Sequence, residues 1–175
     1  MSFFIDEFSS PVGNLVIRAT DGGIFSIHFN NLLSGEKVFP NSKTEKAKEL
    51  LSNYFEGKSV DLNSLSIHWH GTPFQILVWQ TLQKIPFGEI RNYEEIAIQV
   101  RGNKNARAVG QAIGKNPILI LIPCHRVIGK NGKLTGFSGG IERKEWLLNF
   151  EKRLLKKQIN FRNKHDRNDT ERNCQ

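Results

Sequence analysis

The sequence predicts an α+β protein, an antiparallel sheet followed by a mostly helical unit. Three observations carry this. Residues 2–30 hold three short apolar or alternating runs separated by turn residues. Residues 72–113 hold three segments whose apolar positions recur at helical spacing. One β-branched run, Ile118–Ile122, ends at Pro123 and is followed at once by Cys124 and His125.

The strands of the first half are residues 3–8, 14–19 and 24–29. Pro11 and Gly13 divide the first two, and Asp21-Gly22-Gly23, a strong hairpin signal, divides the second two. Residues 30–43 read as loop. From Thr44 to Phe55 a helix is expected, with Ala47, Leu50, Leu51, Tyr54 and Phe55 at helical spacing and Gly57 where a helix stop belongs. Leu65–Trp69 is a candidate strand. A domain boundary falls near residue 70, giving an N-terminal α/β supporting domain (1–70), a C-terminal domain (71–151) and a tail (152–175).

The second half opens on a helix start: Thr72 as N-cap, Pro73 at the first helical position and Gln75 completing a capping box. Phe74, Leu77, Val78, Leu82 and Ile85 follow on one face, and Pro86-Phe87-Gly88-Glu89 ends the helix. Tyr93, Ile96, Ala97 and Val100 form the next helix. Arg101-Gly102-Asn103-Lys104 turns, and Asn105 starts another with Ala106, Val109 and Ile113 on one face. Two short amphipathic helices joined through a Gly describe a helix-turn-helix. Ala108, Gly110, Ala112 and Gly114 let a partner approach closely, while Arg107, Gln111 and Lys115 reach outward, as a recognition helix requires. The alternative is a plain αα-hairpin inside the core.

Ile118–Ile122 reads as a short buried strand stopped by Pro123, which presents Cys124 at the end of a rigid element. Arg126–Ile128 is a second strand and Lys130–Lys133 a turn. Phe137-Ser138-Gly139-Gly140 is a flexible loop able to lie over the cysteine. A last helix holds Trp146, Leu147, Phe150 and Glu151. The tail carries eight Lys/Arg against three Asp/Glu, loses apolar periodicity beyond Leu155, and is expected to be disordered and solvated.

With 175 residues and 38% hydrophobic content, the chain can build a core without staples. No apolar run approaches the roughly 18 residues that span a bilayer, and the N-terminus lacks a signal-peptide pattern, so no membrane partner is expected. Two cysteines, 124 and 174, make a poor disulfide framework and point to a reducing, cytoplasmic setting. The net charge of +8 favours a polyanionic partner, nucleic acid first.

A thiol near pKa ~8.5 is mostly protonated at neutral pH and needs a base or a positive charge to react. His125 is adjacent to Cys124, but neighbours along a strand point to opposite faces, so contact requires a water bridge or a bend after Pro123. Glu151 is a candidate to orient the imidazole.

These residues resemble a known family. Asn116-Pro117 and Ile120-Leu121-Ile122-Pro123-Cys124-His125-Arg126-Val127 are similar to the active-site signature of the O6-alkylguanine-DNA alkyltransferases (methylated-DNA–protein-cysteine methyltransferases). The likeness extends through Gly71–Gln75, Phe87-Gly88-Glu89, Tyr93, Ala106–Gly110, Ser138-Gly139-Gly140 and Lys144–Leu148 to Glu151. It is closest over residues 71–151; before that it rests chiefly on Ser10-Pro11-Val12-Gly13.

The resemblance implies a ribonuclease H-like N-terminal domain and a winged-helix-like C-terminal one. It implies a monomer that repairs double-stranded DNA containing O6-alkylguanine, with O4-methylthymine a further possible substrate, in the cytoplasm or, in a bacterium, at the nucleoid. A flipped base would enter a pocket while the helix-turn-helix sits in the minor groove. Cys124 would be the nucleophile and permanent alkyl acceptor, His125 its base through a water, and Glu151 the partner of His125. Asn116 would orient the site and Tyr93 protonate the leaving guanine. Arg107 would fill the gap left by the base, with Asn105, Ala106, Gln111 and Lys115 also on the DNA. Val127, Phe137, Ser138, Gly139 and Ile113 would shape the base pocket.

Phe137 departs from the Tyr of some members, Lys115 from an Arg, and the first half has no cysteine for the zinc site that some members carry. No metal and no cofactor are therefore expected. Two other classes compete: a DNA-binding module that recognises alkylguanine without repairing it, and a thiol hydrolase that turns over. The presence of Cys124 disfavours the first; the helix-turn-helix and Arg107 are unexplained by the second.

Overall fold

The computed structural model describes the backbone of residues 2–103 and 105–172, with side chains through residue 160. Lys104 of the predicted turn, and Cys174, lie outside the described residues. Strands β1 (Phe3–Ser10), β2 (Gly13–Thr20) and β3 (Gly23–Phe29) form an antiparallel sheet in that order. The first hairpin pairs Phe3 with Thr20 and Ser10 with Gly13. Ser10 closes its turn: the hydroxyl donates to the Gly13 carbonyl at 2.6 Å and accepts from the Val12 amide at 3.2 Å. β2 is central, and its Leu15, Val16, Ile17 and Ala19 are fully buried. That is why its sequence reads as a continuous apolar run.

Helix α1 (Ser42–Phe55) packs on the sheet, with Ala47, Leu50, Leu51 and Tyr54 buried. It begins two residues before the expected Thr44 because Asn41 is the cap, accepting from the amides of Lys43 and Thr44. The candidate strand at 65–69 is one parallel bridge, Ile24 to Ile67. The Ile24 amide donates to Ser66 at 2.8 Å and the His68 amide to Ile24 at 2.9 Å. Gly23 permits this approach, since it has φ +141° and a Cβ there would stand 2.5 Å from the Ser66 carbonyl.

The second half contains α2 (Pro73–Leu82), β4 (Arg91–Asn92), α3 (Tyr93–Arg101), α4 (Ala106–Gly114), β5 (Val127–Ile128) and α5 (Ile141–Arg172). The Thr72–Gln75 capping box forms as expected. α2 stops at Leu82, short of Ile85, because the residue before Pro86 is pushed out of helical geometry. Asn92 and Glu95 box the start of α3, Gly102 ends it in left-handed conformation, and Asn105 caps α4. The indole of Trp79 donates to the Ala112 carbonyl at 2.9 Å, tying α2 to α4.

Two expectations change. Ile118–Ile122 is not a strand. Ile118 makes a single bridge to Ile27, and the chain then coils: the Ile122 amide donates to Ile118 at 3.0 Å and the Leu121 amide to Leu119 at 2.9 Å. A strand sends alternate side chains to opposite faces; the coil buries all five in one core. Ile120 has φ +70°, a conformation that costs a β-branched residue on the order of 1–3 kcal/mol. The expected disordered tail also differs, because α5 continues to Arg172. Leu154 and Leu155 lie against Gly57 and Gly88, and Gln158 donates to the Gly57 carbonyl at 3.2 Å. Lys, Arg and Gln are good helix formers, so the helix outlasts its apolar pattern.

A contiguous buried core includes residues from both sides of position 70. The seam is Ile27, whose amide donates to Pro117 at 2.8 Å and whose carbonyl accepts from Leu119 at 2.9 Å. The sheet edge therefore holds the coil that leads to Cys124.

Candidate active site

Cys124–Arg126 is a 3₁₀ turn, so the opposite-face rule for strands does not govern Cys124 and His125. Asn116 organises the approach. Its Nδ2 donates to Cys124 Sγ at 2.9 Å and to the Ile122 carbonyl at 2.8 Å, and its Oδ1 accepts from the Ile118 amide at 3.0 Å. One side chain thus closes the coil and holds the sulfur. Cys124 is 2% exposed. Burial pushes its thiol up to about 11, against the Asn116 hydrogen bond, the Lys144 charge and nearby amides. The resting group is a neutral thiol, and its chemistry requires a base.

His125 is completely buried and 2.7 Å from Glu151 through Nε2. Burial alone would raise the Glu151 carboxyl, but hydrogen bonding and charge from His125 and Arg126 hold it at about 2. Glu151 is therefore a carboxylate that only accepts, and the proton of a neutral His125 sits on Nε2. Nδ1 is left as the bare acceptor. It is the buried side-chain polar atom without a partner among the described residues. Burial lowers the histidine pKa, opposed by Glu151 and reinforced by the Arg126 and Lys144 charges, so the ring is neutral and ready to accept. Cys124 and His125 share no direct hydrogen bond, and their connection requires a bridging atom.

Glu151 is held from four places. Besides His125 it accepts from Arg126 Nε at 3.0 Å and Nη2 at 3.0 Å, the Gly88 amide at 2.9 Å and Tyr54 Oη at 2.8 Å. Arg126 also donates to the Ile85 carbonyl at 2.7 Å. Sequence reasoning missed Tyr54, Arg126 and Lys144 as site residues. Arg126 and Lys144 lie inside matched motif stretches, which was a usable signal. Tyr54 carried only helical spacing. Lys144 is fully buried, donates to the carbonyls of Val127 and Thr135, and is lowered by burial to about 8.

Of the expected pocket residues, Tyr93 donates to the Thr135 carbonyl at 3.0 Å, and its ring lies beside Gly110 of α4. Phe137 stands edge-on to His125 with centroids 6.4 Å apart. Gly139 is buried against Phe137 and Phe29, where a Cβ would meet Phe137 at 2.5 Å; Ser138 beside it is exposed. Val127 is buried in β5, with its carbonyl engaged by Lys144. Ile113 is in the core with Val109 and Ala112, so it reaches the site only through packing. Arg107, Gln111 and Lys115 are exposed at successive i+4 positions, one stripe of α4. Ala106 is half-buried, and Asn105 is occupied as the cap.

Fold and site define a cysteine-centred protein whose buried thiol is held by Asn116, just past the end of a basic-faced helix. A family model described as 6-O-methylguanine DNA methyltransferase, DNA binding domain, matches residues 73–153. The chain is 40% identical over 160 residues to the methylated-DNA–protein-cysteine methyltransferase of Haemophilus influenzae, covering 86% of this chain and 87% of that one. It is 42% identical over 154 residues to the Methanosarcina acetivorans protein of the same name, covering 82% and 95%. Among solved structures, the Mycobacterium tuberculosis O6-methylguanine methyltransferase aligns with TM-score 0.75 at 39% identity, covering 86% and 93%. A structure of M. tuberculosis OGT in complex with DNA aligns with TM-score 0.75 at 40% identity, covering 86% and 94%. The chain belongs to the methylated-DNA–protein-cysteine methyltransferase family.

Proposed function

We propose that this protein repairs double-stranded DNA by moving the methyl group of O6-methylguanine onto Cys124, once per molecule. The observation that carries this reading is the pairing of a neutral buried thiol, held by Asn116, with a histidine whose Nε2 is locked to Glu151 and whose Nδ1 is free. In the reaction the thiol proton passes through a water to His125 Nδ1. The sulfur attacks the methyl carbon in line, the S–C bond forms, and the C–O6 bond breaks with its electron pair leaving on guanine. Tyr93 supplies a proton to the leaving base. The thioether product has a strong C–S bond and a poor leaving group, so the transfer is not reversed and each molecule is spent.

In the same reading α3 and α4 are the helix-turn-helix of a winged-helix-like unit, and the sheet with α1 is a ribonuclease H-like support. The small face of α4 favours close approach to the minor groove, with Arg107 filling the space of the flipped base. Phe137, Ser138 and Gly139 close over that base, and the exposed Gln111 and Lys115 contact the backbone. The test is mass spectrometry after mixing the protein with a duplex containing O6-methylguanine. A gain of one methyl on the Cys124 peptide is expected. Tight binding with no mass change would instead indicate recognition without repair, and continuing hydrolysis of an ester or amide a thiol hydrolase.

A further inference from the structure

We propose that Tyr54, on the N-terminal half, is a positioning residue that sets the basicity of His125 by competing with it for one carboxylate oxygen. The inference rests on the transfer reading above and extends it to a residue outside the matched C-terminal region. Glu151 Oε1 takes the His125 proton donor at 2.7 Å and the Tyr54 hydroxyl at 2.8 Å. The same hydroxyl is 3.4 Å from His125 Nε2, and the tyrosine ring meets the imidazole edge-on with centroids 6.2 Å apart. Tyr54 is 2% exposed, so no bulk water takes its place.

The charged and titratable groups around His125 are few. Glu151 and Lys144 come from α5, Cys124 and Arg126 from its own turn, and Tyr54 from α1. Arg126 anchors Glu151 whichever way histidine titrates. Tyr54 keeps its proton across the working range, because burial and the neighbouring carboxylate raise it well above its ordinary value. It is therefore a permanent donor to the oxygen that must stabilise an imidazolium when His125 takes the thiol proton. A carboxylate oxygen that shares its lone pairs with a second donor is a weaker partner for imidazolium. Removing the hydroxyl strengthens the histidine–glutamate pair and makes His125 more basic. It also removes the hydroxyl that lies 3.4 Å from His125 Nε2.

The experiment compares the full chain with Tyr54→Phe, which deletes one oxygen and keeps the ring. Single-turnover methyl transfer to Cys124 is followed against pH, and the His125 ring carbon resonance is titrated in the unreacted protein. The variant is expected to move the acid limb of the rate and the His125 midpoint upward together by about half a unit to one unit, roughly a three- to tenfold slower transfer on the acid side. Binding to a methylated duplex, measured with Cys124→Ala in both backgrounds, is expected to be unchanged. A purely structural Tyr54 would lower the unfolding midpoint and leave both pH midpoints in place, which overturns the proposal. If the parent protein transfers no methyl at all, the transfer reading fails, while the resonance titration still decides the Tyr54–His125 coupling.

Discussion

The two sides of the cysteine are built differently. On one side the relay of His125, Glu151 and Arg126 is buried, and the Glu151 carboxylate of α5 takes donors from α1, the α2–β4 turn and the Cys124 turn. On the other, the segment 134–140 has a few tethers: Thr135 to Tyr93 and Lys144, and Arg143, which joins the Gly139 carbonyl at 2.9 Å to the Val12 carbonyl at 2.8 Å. The relay is over-determined and the loop is lightly held. In the transfer reading the chemistry is fixed by the first, while the second can accommodate the base and its alkyl group. The relay also reaches across the chain, whereas the loop leans on the sheet through Arg143 and the Phe29–Gly139 contact.

Breaking the relay should cost most. Glu151→Ala leaves Arg126 buried without its carboxylate, an effect of about 3–5 kcal/mol on stability, and transfer should be abolished. Urea unfolding and single-turnover kinetics check both. Asn116→Ala removes the donor on Sγ and the brace of the coil. A loss of roughly 100-fold in transfer is expected from one lost preorganised donor, larger than any loss in duplex binding.

The same contrast appears in acid. Glu151 is held at about 2 in the fold against 4.5 for a free carboxyl, so its contribution is complete above pH 4.5 and is lost as pH falls toward 2. That contribution is on the order of 3 kcal/mol by linkage. His125, lowered by burial, acts with the same sign, losing stability as pH falls below 6.5. Urea midpoints measured between pH 7 and pH 3 should fall more steeply for the parent than for Glu151→Gln. The loop side should respond least: Arg143→Ala should leave stability within about 1 kcal/mol, since its guanidinium is part-buried and bonded only to carbonyls. It should alter the relative rates for larger O6-alkyl groups more than the rate for methyl.

The sequence carried the relay's chemistry better than its architecture. Cys124, His125, Glu151 and Asn116 lie in short motifs whose residue types are demanded by thiol chemistry, and the structure brings all four together. The coil at 118–122 is not legible in the sequence because an unbroken apolar run has no period: a buried strand and a buried turn share the same pattern, and only the single bridge to Ile27 and the bonds that follow distinguish them. Tyr54 shows in the sequence only as a position at helical spacing; its hydroxyl partner lies 97 positions away and no local pattern predicts such a bond. The helix cap at Thr72, by contrast, depends on a few neighbouring residues and is readable from them. α5 outlasts its apolar periodicity, which marks a buried face rather than a helix end.

The most direct test of the central claim is stoichiometry. With duplex containing O6-methylguanine in large excess, the intact mass should rise by one methyl per chain, map to Cys124, and stop there. Continued demethylation beyond one equivalent, or a methyl on any other residue, would contradict the assignment of Cys124 as both nucleophile and final acceptor.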